Sequence, residues 1–325
     1  MKSAISLATL VGTLLLGWSA GSWATAVSDA RAETAGATRR AGTAPSTSSK
    51  AAARRFVARS HRLHTGLDEP ALRSSAALVV DESTAAVIFS KHADQATPIA
   101  SITKLMTALV VLEANQSLEE TLEITRDDQS LGKPTTSRLT VGTALSRGDL
   151  LHLALMSSEN RAANALGRNY PGGLPACVAA MNAKARALGM TNAQFVEPTG
   201  LSSDNVASPA DLSKLVIAAS QNTIIQSYST DSRYIVPVGR HMLEFHNTDS
   251  LVSSPSWNIV VQKTGYIAEA GKCLVMKAII EGRAVVIVLL DSVGKQSRVA
   301  DARRIKKWME SHLSSETPRL ASRKA

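Results

Sequence analysis

Ser101 and Lys104 lie three residues apart in Ile99-Ala-Ser-Ile-Thr-Lys-Leu-Met-Thr-Ala-Leu-Val-Val-Leu112, and Lys104 is the only charged residue of that stretch. Apolar residues surround it at nearly every position, so a helix here must be buried on almost all faces. A buried ammonium is costly unless paired, and burial lowers the pKa of an amine. Residues at i and i+3 share one helix face. A hydroxyl held beside an amine that prefers to be neutral is a nucleophile with its own base. The chemistry this predicts is acyl transfer, in which the amine takes the hydroxyl proton and the oxygen attacks a carbonyl.

One Ser-x-x-Lys match discriminates little, and the chain holds two more, Ser130–Lys133 and Ser292–Lys295. Pro134 follows the first and Gly294 interrupts the second, so neither has a strong helical context. Ser-x-Asn discriminates no better, since both Ser158-Glu-Asn160 and Ser203-Asp-Asn205 qualify. Lys263-Thr-Gly265 occurs once, at the end of an apolar strand pattern.

The elements that must position these residues can be read from periodicity. Ala77–Val80 and Ala86–Phe89 flank Asp81-Glu-Ser-Thr84, which predicts a β-hairpin. Pro98 then precedes the Ser101 helix, which places the serine near its first turn. Helices are expected over Asp149–Met156, Arg161–Asn169 and Pro175–Leu188. A fourth spans Pro209 to about Ser220, with Ser208 as cap and Pro209 at the first helical position. Strands return at Tyr234–Val238, Ile259–Thr264, Cys273–Ile280 and Ala284–Leu290, with Glu281-Gly-Arg283 as the turn between the last two. An amphipathic helix from about Ser297 to His312 ends the pattern. Strands, a helical insert over roughly 118–222, then strands and a helix predict an α/β (α+β) fold. Its antiparallel sheet takes strands from both ends of the domain and is flanked by helices.

The flanks read differently. Residues 27–73 hold nine Lys and Arg against four Asp and Glu, residues 313–325 three against one, and Lys2 one more. Of the net +9, only about +1 therefore falls on 74–312. Basicity thus sits in a disordered linker (27–73) and a tail (313–325), which argues against a nucleic-acid enzyme. Lys2, an apolar run from Ile5 to Trp18 and Ala24-Thr-Ala26 read as a signal peptide over 1–26, with a core too short to span a bilayer. Export to the periplasm follows, and no later segment is long and apolar enough to form an integral span. Cys177 and Cys273 have no C-x-x-C spacing and read as buried hydrophobes; no metal site or cofactor is expected. His241 and His246 fall in an expected surface loop, and Tyr170 and Trp257 are expected to pack on the core.

Taken in order, Ser101-x-x-Lys104, Ser158-x-Asn160 and Lys263-Thr-Gly265 match the motif set of penicillin-binding proteins and serine β-lactamases. The chain resembles the low-molecular-mass penicillin-binding proteins of the D-alanyl-D-alanine peptidase family, and within it the endopeptidases of the penicillin-binding protein seven type. Met156-Ser-Ser-Glu-Asn-Arg-Ala-Ala163, Tyr170-Pro-Gly-Gly173, Phe195-Val-Glu-Pro-Thr-Gly-Leu201 and Lys263-Thr-Gly-Tyr266 carry the likeness, which covers about 74–312. The resemblance implies a transpeptidase-like fold, peptidoglycan cross-links as substrate and β-lactams as covalent inhibitors. Ser101 would be the nucleophile, Lys104 its base, and Ser158 a proton relay between the two lysines and the leaving nitrogen. Asn160 would hold a substrate amide and orient Lys104. Lys263 would attract an acidic substrate group and disfavour charge on Lys104. Thr264 would bond a carboxylate, and Gly265 would let substrate backbone approach. The N–H groups of Ser101 and Tyr266 would form the oxyanion hole.

The middle motif has Glu159 where β-lactamases usually carry Asp. No deacylating carboxylate is assignable, since the context of Glu197 matches the peptidases, and we read that residue as structural. A DD-endopeptidase is expected. A DD-carboxypeptidase is the alternative by identical chemistry, disfavoured because the chain ends soon after its last helix. A penicillin-sensing domain that is acylated without turnover is an alternative of another class, and a β-lactamase ranks behind these.

Overall fold

The computed structural model describes residues 69–129 and 137–316. The expected signal peptide, nearly all of the linker, the Ser130–Lys133 match and most of the tail lie outside them.

The core is a five-stranded antiparallel sheet in the order β2-β1-β11-β10-β9. Strand β1 is Ser74–Asp81, β2 Ala86–Lys91, β9 Asn258–Ile267, β10 Gly271–Ile280 and β11 Arg283–Ser292. Both ends of the domain contribute, as the sequence predicts. Asp81 closes the first hairpin by accepting from the amides of Ser83 and Thr84. Strands β1, β10 and β11 are buried on both faces, and the period of two sorts their side chains. Ala77, Val79, Leu274, Met276, Ile287 and Leu289 face the closing helix α7 (Ser297–Glu316) through Val299, Ala302, Ile305 and Met309. Leu78, Val275, Val286 and Val288 face the helices of the insert.

Those helices are α1 (Thr103–Glu113), α2 (Arg147–Met156), α3 (Asn160–Arg168), α4 (Gly173–Ala187), α5 (Pro209–Ala219) and α6 (Thr223–Thr230). Ser208 caps α5 as expected, in a reciprocal pair with Asp211. Three two-stranded sheets accompany them: β3 (Thr97–Pro98) with β6 (Val206–Ala207), β4 (Thr121–Glu123) with β5 (Ala144–Ser146), and the hairpin β7 (Arg233–Val238) with β8 (His241–His246).

Ser101 lies in a 3-10 turn, Ala100–Ile102, directly before α1, near its first turn as expected. One expectation needs correction. His241 and His246 are exposed as expected, yet they bound strand β8 rather than a loop. Helix α6 has no counterpart in the sequence reading. Cys177 and Cys273 are buried free thiols, and burial pushes their pKa up to about 12 and about 11. Tyr170 and Trp257 pack against the two halves of the core.

Candidate active site

Helix α1 is buried along nearly its whole length, Lys104 included, as its sequence requires. Burial lowers the Lys104 pKa from 10.5 to about 7, against the opposing charges of Glu197 and Glu159. The ammonium nitrogen has three partners: Ser101 Oγ at 2.8 Å, Asn160 Oδ1 at 2.7 Å and the Thr199 carbonyl at 2.6 Å. Two of these are carbonyl oxygens, which only accept. A neutral amine has two N–H bonds and one lone pair. If it keeps both carbonyl partners, its lone pair falls on the third direction, the Ser101 hydroxyl. In that state the geometry points the Lys104 lone pair at Ser101.

Three segments meet around this pair. Gly200 packs on the Ser101 turn with φ +83°, and a Cβ there would lie 1.9 Å from the Ala100 carbonyl oxygen. Gly265, on the outer strand β9, abuts the same turn; its Cβ would come within 2.8 Å of the Ile99 carbonyl and 3.2 Å of the Ser101 nitrogen. The Ser101 turn thus already needs Gly265 small, whatever substrate approaches. Ala100 and Ser158 both hold positive φ, at 49° and 63°. Non-glycine residues in that region store roughly 1–3 kcal/mol each and cluster at functional sites.

Ser158 occupies the turn between α2 and α3, and Asn160 opens α3. The Ser158 hydroxyl is not one of the three groups Lys104 reaches. Glu159 is buried and turns aside, accepting from Ser137 Oγ at 2.9 Å and Arg138 N at 3.1 Å. Lys263 is fully buried and donates to the Thr264 carbonyl at 3.0 Å. Its pKa falls well below 10.5, through burial first and then through Lys104 and Arg298. The expected repulsion between the two lysines is thus present, second to burial as a cause of the Lys263 shift. Thr264 Oγ1 is paired with Thr248 Oγ1 at 2.5 Å. Tyr266 stands at the exposed rim, with Lys272 3.6 Å above its ring.

The structure brings Ser101, Lys104 and Asn160 into hydrogen-bond contact and packs Gly265 on the Ser101 turn, with Lys263, Thr264 and Tyr266 on the same strand β9 and Ser158 two residues before Asn160. Among the described residues, the other matches are not assembled in this way. Ser292 ends β11 buried, and Lys295 lies exposed beyond it. Asn205 of the second Ser-x-Asn serves the turn behind Lys104 instead, donating to Glu197 Oε1 at 2.6 Å. Sequence reasoning missed two contributors. The Thr199 carbonyl is backbone and has no side-chain signature. Arg298 reaches over from α7 to donate to the Gly265 carbonyl at 3.0 Å, a contact no spacing foretells.

Residues 64–294 match the family described as D-alanyl-D-alanine carboxypeptidase, peptidase S11, and the chain belongs to that family. It is 48% identical over 242 residues to a D-alanyl-D-alanine endopeptidase of Pseudomonas aeruginosa, covering 74% of this chain and 78% of that one. A D-alanyl-D-alanine endopeptidase of Escherichia coli is 46% identical over 248 residues, covering 76% and 80%. The crystal structure of a Streptomyces DD-transpeptidase superposes with a TM-score of 0.70 at 26% identity, covering 75% of this chain and all of that one. The β-lactamase and transpeptidase-like fold expected from the sequence is the fold observed.

Proposed function

We propose that this chain is a periplasmic serine DD-endopeptidase that hydrolyses D-alanine cross-links in peptidoglycan and is acylated by β-lactams. The observation that carries this is the fixed lone-pair direction of Lys104: two carbonyl acceptors consume its N–H bonds and leave Ser101 to the base. Ser101 Oγ attacks the D-alanine carbonyl carbon as its proton passes to Lys104 Nζ. The oxyanion is held by the N–H groups of Ser101 and Tyr266. The C–N bond then breaks, and the leaving amine takes a proton from Lys104 by way of Ser158. Water hydrolyses the ester on Ser101. Lys263 meets an acidic group of the substrate, and such a group favours charge on Lys263. Two adjacent buried amines resist holding two protons, so substrate binding also favours the neutral Lys104. Thr264 and Asn160 align the peptide along the open edge of β9, which Gly265 keeps clear. We place a signal peptide at 1–26, a basic tether at 27–73 and the catalytic domain at 74–312, with a basic tail after it.

The 46–48% identity to chains named endopeptidase favours cross-link cleavage over removal of a terminal D-alanine. A β-lactamase reading is disfavoured because Glu197 is fully engaged by its own turn and has no oxygen free to activate water. The test is digestion of intact sacculi by the protein and by Ser101→Ala, followed by separation of the muropeptides. Dimers should fall to monomers with the unsubstituted protein alone. Loss of terminal D-alanine with dimers intact would make it a carboxypeptidase, and penicillin labelling without any digestion would make it a sensor.

A further inference from the structure

Behind Lys104, the segment from Glu197 to Ser202 folds around one carboxylate. Glu197 Oε2 accepts from Thr199 N at 2.6 Å and Thr199 Oγ1 at 2.5 Å. Oε1 accepts from Gly200 N at 2.6 Å, Ser202 N at 3.3 Å and Asn205 Nδ2 at 2.6 Å. Five donors converge on two oxygens, and a carboxylate offers enough lone pairs to accept them all. The other side of the turn is tied to α1, where Thr107 Oγ1 donates to the Pro198 carbonyl at 2.7 Å. Between these clamps lies Thr199, buried, with its carbonyl on Lys104 Nζ.

We propose that Glu197 is a positioning residue for the acylation step: by gathering this turn onto its carboxylate it fixes the Thr199 carbonyl against Lys104, so that the lone pair meets Ser101. This rests on the Ser101–Lys104 reading above. It differs from a scaffold role because the group that Glu197 holds is itself a partner of the base. Without a fixed Thr199 carbonyl, the amine has one obligatory acceptor, Asn160, and can rotate its lone pair away from Ser101.

The charges facing Lys104 make the proposal testable. Glu197 and Glu159 favour its ammonium form; Lys263, on which Arg298 and Asp249 act in turn, is the neighbouring cation. Glu197→Gln removes one of the two favourable charges. It also sets an amide NH2 against the Thr199 N–H, which releases the carbonyl. Both changes disfavour the ammonium, so the acid limb of acylation should move to lower pH, by roughly one unit or more. At the same time the limiting rate constant, read per labelled molecule, should fall roughly tenfold or more, as displacement of a reacting group does.

The experiment is stopped-flow acylation by a fluorescent penicillin from pH 5 to 9, for the full chain and for Glu197→Gln. A limb that moves down together with a lower plateau is the expected result. An unmoved limb or an unchanged plateau would overturn the inference, since loss of a mere scaffold lowers the amount of folded protein and neither of these. If Glu197→Gln does not fold, Glu197→Asp carries the test. Its charge is kept but stands one methylene back, so the limb should stay and the plateau should fall about tenfold; a wild-type plateau would refute the role. Failure of the unsubstituted protein to label at Ser101 would instead sink the functional reading beneath it.

Discussion

The Lys104 base gives a definite pH dependence. Its pKa of about 7 comes from burial, with Glu197 and Glu159 opposing. A base works when deprotonated, so acylation is supported above about pH 7 and is lost as pH falls through that value. About half of the amines are neutral at pH 7 and about one in a hundred at pH 5, so the acylation rate should drop roughly hundredfold between pH 8 and pH 5. Benzylpenicillin does not titrate over this range, so the limb belongs to the enzyme. Stopped-flow labelling at saturating and subsaturating antibiotic separates binding from chemistry. A rate flat from pH 5 to 8, or a limb near 10.5, would refute the argument that burial makes this amine a base.

The same burial must appear in stability, with the opposite member of the comparison gaining. The unfolded chain keeps the ordinary lysine pKa of 10.5 and binds the proton that the folded protein rejects. Folding therefore bears a penalty of about 5 kcal/mol below pH 7, which shrinks as pH rises and is gone above 10.5. Lys104→Met has no such term. Urea denaturation of both proteins should show the unsubstituted protein gaining about 2 kcal/mol on Lys104→Met between pH 7 and 9. Lys104→Met should also lose acylation outright, while the Asn160 and Thr199 carbonyls it leaves unpaired offset part of its stability gain at any pH. A pH-independent gap would mean that Lys104 is solvated.

Other expectations are simpler. Gly200→Ala must hold φ +83° and place a methyl 1.9 Å from the Ala100 carbonyl, so it should cost roughly 2 kcal/mol from the backbone alone and slow labelling at Ser101; unchanged melting would contradict the packing. Asp301 is buried and accepts from Arg73 N, Ser74 N, Ser74 Oγ and Arg304, so Asp301→Ala should lose roughly 3 kcal/mol in urea without altering the acylation rate of folded molecules. Cys177 and Cys273, both buried with raised pKa, should resist a thiol reagent in the folded protein and react once urea is added; rapid reaction without urea would show an open core.

The sequence carries the sheet and the three motifs because both rest on strong local signals. Strands β10 and β11 alternate between two buried faces, and α1 is buried nearly all round with Lys104 its only charged residue before Glu113. Ser208 with Asp211 announces α5 through its cap. What stays hidden has weak local signals or none. Helix α6 begins Thr-Ile-Ile, β-branched residues that disfavour helix. It forms because Asn222 caps the Ile224 and Ile225 amides and because Gln262 of β9 ties it down at the Ser229 carbonyl. Strand β8 is exposed at His241, Met242 and His246 and buries only Phe245, so its apolar alternation is short and weak. Arg298 is one of several arginines and lysines on α7, and only the register of that helix against β9 selects it.

Glu197 shows why an active site can be half legible. The side chains that perform chemistry must be particular residues, so they leave motifs. The groups that aim them can be backbone, and then the motif marks the residue holding the backbone rather than the one touching the base. Phe195-Val-Glu-Pro-Thr-Gly-Leu201 is distinctive in the sequence, yet its pattern names a carboxylate, a threonine and a glycine with no evident reaction. The fold supplies the reason. Gly200 must pass beneath the strained Ala100, Glu197 must collect the amides that this passage exposes, and the carbonyl left over lies against Lys104. A turn built to leave one acceptor unspent beside a buried amine has a catalytic consequence, although none of its side chains need touch substrate.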